Sequence, residues 1–368
     1  GRRGGFGAGD AVMPANLSPE YKSAQESFRR AREPHEKLEA LREMLRTIPK
    51  HKGTEHLQAD IKTRIKELTD EVAGPRKGGA RSGPELAVRP EGAAQVALLG
   101  PPNAGKSSLH ARLTGSHAVV GPYPFSTKFP VPGMLSHEDV QFQLVDLPPV
   151  SADHVDPWLV GALHTADAAM LVVDLTDPGC VEQLEAVERG LQERKVDLLG
   201  EGPAPEAASS RPPGGPADGE GGAVAGEEPL PDPFRVRLPA LLVANKADLL
   251  EDAEAELEAF RDLAPDPFVS LAVSARSGLG LDRVGGALFD LLGVVRVYSK
   301  LPGHASDRGK PFTLRRDQTV RDVARQVHRG LAAELRFARV WGPSAEFGGQ
   351  QVSGDHVVRD GDVVELHW

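Results

Sequence analysis

The chain has 368 residues, 40% hydrophobic and 26% charged, which allows two or three domains at roughly 150 residues each and is ordinary for a soluble protein. No apolar run reaches the ~18 residues needed to span a bilayer, and a single cysteine, Cys180, excludes an intrachain disulfide framework and an all-cysteine metal site. The formal net charge of -10 is unevenly spread: residues 13–95 and 293–368 each carry +3 and residues 96–292 carry -17, so the chain is no general nucleic-acid coat, while its basic ends either meet polyanions locally or are plain solvated surface.

Residues 1–12, rich in glycine and arginine without apolar periodicity, are set aside as disordered or extraneous to the fold. With no signal-peptide pattern at the N-terminus, a cytoplasmic location is expected. Residues 13–92 form an expected arm and linker. Leu38, Leu41, Leu45 and Ile48 recur at helical spacing, as do Leu57, Ile61, Ile65, Leu68 and Val72, and Pro49–Gly53 with Thr54 as an N-cap separates them. The pattern predicts a helical hairpin with one apolar seam.

From Ala94 the texture changes. Short apolar runs at 95–99, 139–145, 168–174, 238–244 and 268–273 read as strands, and 106–114, 180–194, 251–263 and 279–292 as helices. Such alternation predicts a mostly parallel sheet with helices on both faces across 93–292. Residues 200–233 hold eight glycines, eight prolines and seven acids, too little apolar surface to offset the entropy of ordering, and read as a disordered insertion. Residues 293–368 are expected to add strands at 294–298, 311–314, 338–341 and 362–367 around a helix at 319–330, a compact α+β module of β-grasp type.

The segment Gly100-Pro-Pro-Asn103-Ala104-Gly105-Lys106-Ser107-Ser108 follows a predicted strand and opens a helix, the context of a phosphate-binding P-loop. Its glycines admit phosphate oxygens, the amides and helix N-terminus supply positive potential, Lys106 reaches the β- and γ-phosphates and Ser107 ligates Mg²⁺. Asn245-Lys246-Ala247-Asp248 ends another strand, where open α/β sheets place ligands. The Asp248 carboxylate matches guanine N1–H and its 2-amino group, which adenine cannot offer, and Ser274-Ala275 is the base-supporting turn. Asp146 ends a third strand in position for the Mg²⁺ shell, and Thr127 is the expected switch threonine. Lys106, Thr127 and Asn103 form the expected catalytic set. Asn103 either ligates K⁺ beside the phosphates or is a loop asparagine bonded to its own backbone.

With these motifs in place the sequence resembles the developmentally regulated GTP-binding protein family within the Obg-related GTPases, from about Leu38 onward. Its carriers are Arg46-Thr-Ile-Pro-Lys50-His-Lys-Gly-Thr54-Glu-His56-Leu57, the nucleotide motifs, Tyr123-Pro-Phe-Ser-Thr127 with Pro132-Gly133, and a C-terminal segment resembling a TGS domain: Thr319–Ala324, His328, Ala338–Gly342 and His356–Leu366. The resemblance implies a Ras-like P-loop GTPase domain with an N-terminal helical hairpin and a C-terminal β-grasp TGS domain, GTP and GDP as ligands, Mg²⁺ as cofactor beside the K⁺ that Asn103 leaves open, hydrolysis of GTP, which the departures below make slow, and the ribosome or structured RNA as partner without a membrane. Three departures stand out. Pro149 replaces the switch II glycine whose amide meets the γ-phosphate, Val150 stands where a water-positioning glutamine occurs in Ras-like enzymes, and low-complexity 200–233 replaces a folded insertion. A guanine-nucleotide-gated adaptor that barely hydrolyses is therefore the alternative. Arg321, Arg325 and Arg329 on one helix face, and Lys50, Lys52, Lys62 and Lys66 on the arm, either meet phosphates or are solvated. Trp341 and Trp368 are expected to pack.

Overall fold

The computed structural model describes residues 18–31, 34–48, 55–72, 88–116, 129–151, 155–200, 235–264, 268–304, 306–328 and 331–368. The expectations for residues 1–12 and for the insertion 200–233, apart from Gly200, lie outside these.

The N-terminal arm contains one helix more than the sequence pattern predicts: α1 (Pro19–Arg30), α2 (Pro34–Thr47) and α3 (Glu55–Val72). The helix α1 starts where Ser18 accepts a hydrogen bond from the Tyr21 amide at 3.1 Å, with Pro19 in the first turn, where a missing N–H costs nothing. Tyr21, Ala24 and Phe28 then face Leu41, Met44, Ile48 and Ile61 in one core.

The second unit is built on a sheet of β1 (Ala94–Leu99), β2 (Val131–His137), β3 (Val140–Asp146), β4 (Ala168–Asp174), β5 (Val196–Leu199), β6 (Val236–Asn245) and β7 (Val269–Ala272). Its strand order is β2-β3-β1-β4-β6-β5 with β7 also on β6, and only β2 runs antiparallel to its neighbour. Every residue of β1 is buried, as expected for a strand covered on both faces. Alternation sorts the side chains: Ala97, Leu99, Leu171 and Leu242 meet α5 (Pro157–Leu163), α6 (Cys180–Gln192) and α7 (Ala253–Leu263), whereas Val96, Leu98, Met170 and Val243 meet α4 (Lys106–Thr114) and α8 (Asp282–Leu291). Two cores thus sandwich the sheet.

In the C-terminal module β8 (Val294–Lys300), β9 (Ser306–Arg315), β10 (Phe337–Trp341), β11 (Gln350–Val352) and β12 (Asp362–His367) form a second sheet, ordered β11-β10-β12-β8-β9. The helix α9 (Val320–Val327) buries Val320, Val323 and Ala324 on one face of that sheet, and α10 (Leu331–Glu334) follows. A reciprocal cap, with the Asp322 carboxylate accepting from the Thr319 amide and hydroxyl at 2.9 Å, fixes the start of α9. This α9 is shorter than the helix expected at 319–330.

Candidate nucleotide site

The strand β1 delivers the chain into the loop 100–105, and α4 takes it away. Gly100 has φ +144° and a Cβ there would lie 2.2 Å from the Val172 carbonyl, so the loop approaches the neighbouring strand as only glycine permits. Gly105, at φ +90°, precedes α4 directly. Ala104 is buried, while Asn103 is exposed in the left-handed region at φ 62°.

Lys106 is buried, and its ammonium donates to the carbonyls of Gly100 and Pro101, both at 2.9 Å. Burial pushes its pKa down to about 8, opposed by the charge of Asp146. Ser107 donates to Asp146 Oδ2 at 2.5 Å. A hydroxyl and a carboxylate oxygen therefore lie side by side at the C-terminal ends of β1 and β3, a donor set suited to a hard divalent cation. Among the described residues no group of three or more His, Cys, Asp or Glu is placed to hold a metal.

The residues expected to read guanine sit at the end of β6 and join the loop 100–105 directly. Asn245 is buried; its amide nitrogen donates to the Ala104 carbonyl at 2.9 Å and its amide oxygen accepts from the Ala275 N–H at 3.0 Å. The residues predicted to hold phosphate and those predicted to hold the base are thus tied through one side chain. Ser274 donates to Asp248 Oδ1 at 2.6 Å and accepts from the Ser277 amide at 3.0 Å, which orients an otherwise exposed carboxylate. Lys246, at φ 67°, pairs with Asp174 at the end of β4, and Asp174 also accepts from Thr176. Asp174 escaped the sequence reading, although its place at the C-terminal end of a parallel strand was a signal.

Ser108 lies half-buried in the first turn of α4, and Thr127 lies outside the described residues. Val150 is fully buried with Leu147, Val155 and Leu159, and its amide donates to the Gly100 carbonyl at 3.1 Å. No side chain is presented to water from that position. His110 on α4 is also buried, bonded to the Leu144 carbonyl and to Ser116, both at 3.2 Å. Gly133 of β2 runs against it: an added Cβ would lie 2.7 Å from Thr114 Oγ1 and 2.8 Å from His110 Nε2.

The basic rows are less free than their spacing implied. Arg321 pairs with Asp355 at 3.2 Å and Arg325 with Asp322 at 2.6 Å, whereas Arg329, Lys50 and Lys52 lie outside the described residues. Lys62 and Lys66 are exposed on α3. Trp341 packs against Gly348 and Gly349, with the Lys300 ammonium 4.0 Å from its ring, but Trp368, expected to pack, is 53% exposed.

Residues 95–200 match the family described as a 50S ribosome-binding GTPase, and residues 302–367 match the TGS domain. The protein is thus a GTP-binding protein with a Ras-like P-loop GTPase domain and a C-terminal TGS domain. Its relatives over most of its length include proteins named developmentally regulated G-proteins. It is 29% identical to an uncharacterized GTP-binding protein of Halobacterium salinarum, over 90% of this chain and 98% of that protein. It is 28% identical to one of Methanocaldococcus jannaschii, over 90% and 92%. Developmentally-regulated G-protein 2 of Arabidopsis thaliana is 29% identical over 88% of each chain. No helix among the described residues is long and apolar enough to cross a membrane.

Proposed function

We propose that the protein is a guanine-nucleotide switch that hydrolyses GTP slowly to GDP and phosphate and acts on the ribosome or structured RNA. The observation that carries this reading is the Asn245 bridge, which holds the P-loop and the base turn in one frame. Within it the amides of residues 103–107 bind phosphate, Pro101 and Pro102 having no N–H to offer, and Lys106 leaves the carbonyls of Gly100 and Pro101 for the β- and γ-phosphates. Asp248, fixed by Ser274, uses its second oxygen to accept from guanine. Ser107, Asp146 and Thr127 would hold Mg²⁺, which supplies charge neutralisation for the transferring phosphoryl group. The match of residues 95–200 to the 50S ribosome-binding GTPase family supports the ribosome as partner, with the TGS domain and arm as the contacting parts.

Slow turnover follows from the switch II segment. Pro149 has no N–H, the Val150 amide is spent on Gly100, and the Val150 side chain is buried, so neither residue orients an attacking water. The same observation favours a second reading, an adaptor gated by nucleotide occupancy with barely any hydrolysis. Steady-state GTP hydrolysis with Mg²⁺ in potassium buffer, with and without ribosomes, separates them: ribosome stimulation supports the switch, and tight GTP binding without turnover in either condition supports the adaptor. Lys106→Ala should abolish nucleotide binding or turnover, and unchanged activity refutes the site. If Asn103 ligates K⁺, turnover falls when sodium replaces potassium; equal rates leave Asn103 as a loop residue.

A further inference from the structure

The two ends of the β2–β3 hairpin meet different parts of the protein. Val131 at the start of β2 pairs with Asp146 at the end of β3, beside the nucleotide site, whereas His137 pairs with Val140 at the tip. Because β3 runs parallel to β1, with Phe142 opposite Ala94 and Asp146 opposite Leu98, the tip lies roughly 20 Å from the P-loop. There Glu138 and Asp139 meet the TGS domain. Arg296 of β8 is held in a two-pronged bond by Asp360, Nε to Oδ1 at 3.0 Å and Nη2 to Oδ2 at 2.7 Å. That geometry leaves Nη1 to reach out of the domain, where it bonds Glu138 and, at 3.0 Å, Asp139. Tyr298 donates its hydroxyl to Asp139 as well, and the Arg296 guanidinium lies 5.1 Å from the centre of the Phe289 ring of α8.

A second contact sits on the central strands. Arg315 of β9 donates to the Ala93 carbonyl at 3.2 Å and pairs with Asp167 at 3.5 Å, just before β1 and β4. The TGS domain is therefore fastened to two parts of one sheet, its core strands and its edge hairpin. The hairpin contact is polar and partly solvated, the Glu138 side chain being 60% exposed while Asp139 and Arg296 are 27% and 19% exposed, so water can compete for it at the outer edge and polar inter-domain contacts of this kind can open and reform. A shift of the edge hairpin against the core strands changes the Arg296 contact while leaving the Arg315 contact in place.

We propose that Arg296 and Tyr298 form a latch through which the β2–β3 hairpin couples nucleotide occupancy to the TGS domain. The proposal rests on the guanine-nucleotide reading above. The hairpin ends at Asp146, which accepts from Ser107 and pairs with Val131 across the two strands, so a cation or phosphate held at that end acts on the hairpin directly. Linkage is reciprocal: if the triphosphate and diphosphate forms hold the latch unequally, cutting the latch changes the two affinities unequally.

The test is the ratio of dissociation constants for a fluorescent non-hydrolysable GTP analogue and fluorescent GDP, in the full chain, for wild type, Arg296→Gln, Asp139→Asn and the double variant. The latch predicts a change in that ratio of at least about fivefold in each single variant, with the double variant no further displaced than the larger single one. Amide exchange at Gly361 and Arg296, whose N–H groups bond across the Arg296–Asp360 pair, should differ between the two nucleotide forms in wild type and not in the variants. Ratios within twofold of wild type, with normal binding, overturn the latch alone. Absence of guanine-nucleotide binding by wild type overturns the nucleotide reading and the latch with it. Should Arg296→Gln fail to fold, Asp139→Asn and Tyr298→Phe carry the same test from the surface.

Discussion

Replacing Asn245 by alanine removes one buried and one half-buried bond at once and separates the halves of the candidate nucleotide site. The Ala104 carbonyl, in a residue only 1% exposed, loses its 2.9 Å donor, and the Ala275 N–H loses its 3.0 Å acceptor. A buried polar group left unsatisfied costs about 1–3 kcal/mol; Ala275 is half-buried, so water recovers part of its share. The expected loss is about 2–4 kcal/mol in the nucleotide-free protein, or between about 30-fold and several hundredfold in the local folding constant at 1.4 kcal/mol per decade. Urea titration with hydrogen exchange at the β6 amides reads it, because Ala240–Ala244 lie in the same strand. Asn245→Asp, which keeps the acceptor and loses the donor, should be at least as damaging, since its charge faces the Ala104 carbonyl. A change below about 0.5 kcal/mol for Asn245→Ala, or a change confined to guanine affinity with the P-loop amides unaffected, would refute the bridge as a structural link.

Two further outcomes follow from single residues. Gly133→Ala forces β2 away from α4, since the new methyl would meet Thr114 Oγ1 and His110 Nε2 below 3 Å; overpacking of this sort costs about 1–3 kcal/mol, and thermal unfolding equal to wild type would show that the strand gives way freely. Lys106 supplies a pH dependence. Its folded pKa, about 8, lies below the ordinary 10.5, so the unfolded chain binds more protons between those values and nucleotide-free stability rises with pH across that window, on the order of 3 kcal/mol at most. Lys106→Met should lack that rise, measured as urea midpoints from pH 7 to 10; identical profiles would place the Lys106 pKa at its ordinary value.

The parts legible in the sequence are those whose signal is local. The run Ala94–Leu99, the glycines at 100 and 105 and the helix from Lys106 could be read directly because a buried strand, a tight anion loop and a helix start each leave a mark within a few residues. Asn245 and Asp248 could be singled out for the same reason, because their motif directly follows a short apolar run. The helix α1 was missed although Ser18-Pro19 signals a start, because its buried face is carried by Tyr21, Ala24 and Phe28 among polar neighbours. The strand β2 was missed because an edge strand with Pro132 and Gly133 tolerates residues that a central strand would not. The helix α9, expected to run to residue 330, ends at Val327.

Tertiary structure alone decided which distant groups meet. The Lys246–Asp174 pair spans 72 residues, the Asn245 bridge to the P-loop 141, and the Arg296 bond to Glu138 158. It also showed that Arg321 and Arg325, a bare basic row by spacing, each hold an acid from the same domain. Local sequence fixes which backbone shape a segment prefers and which chemistry its side chains offer. The partner each side chain finds is set by strand order and by which faces the two cores leave free, and neither is written within the few residues over which propensity acts.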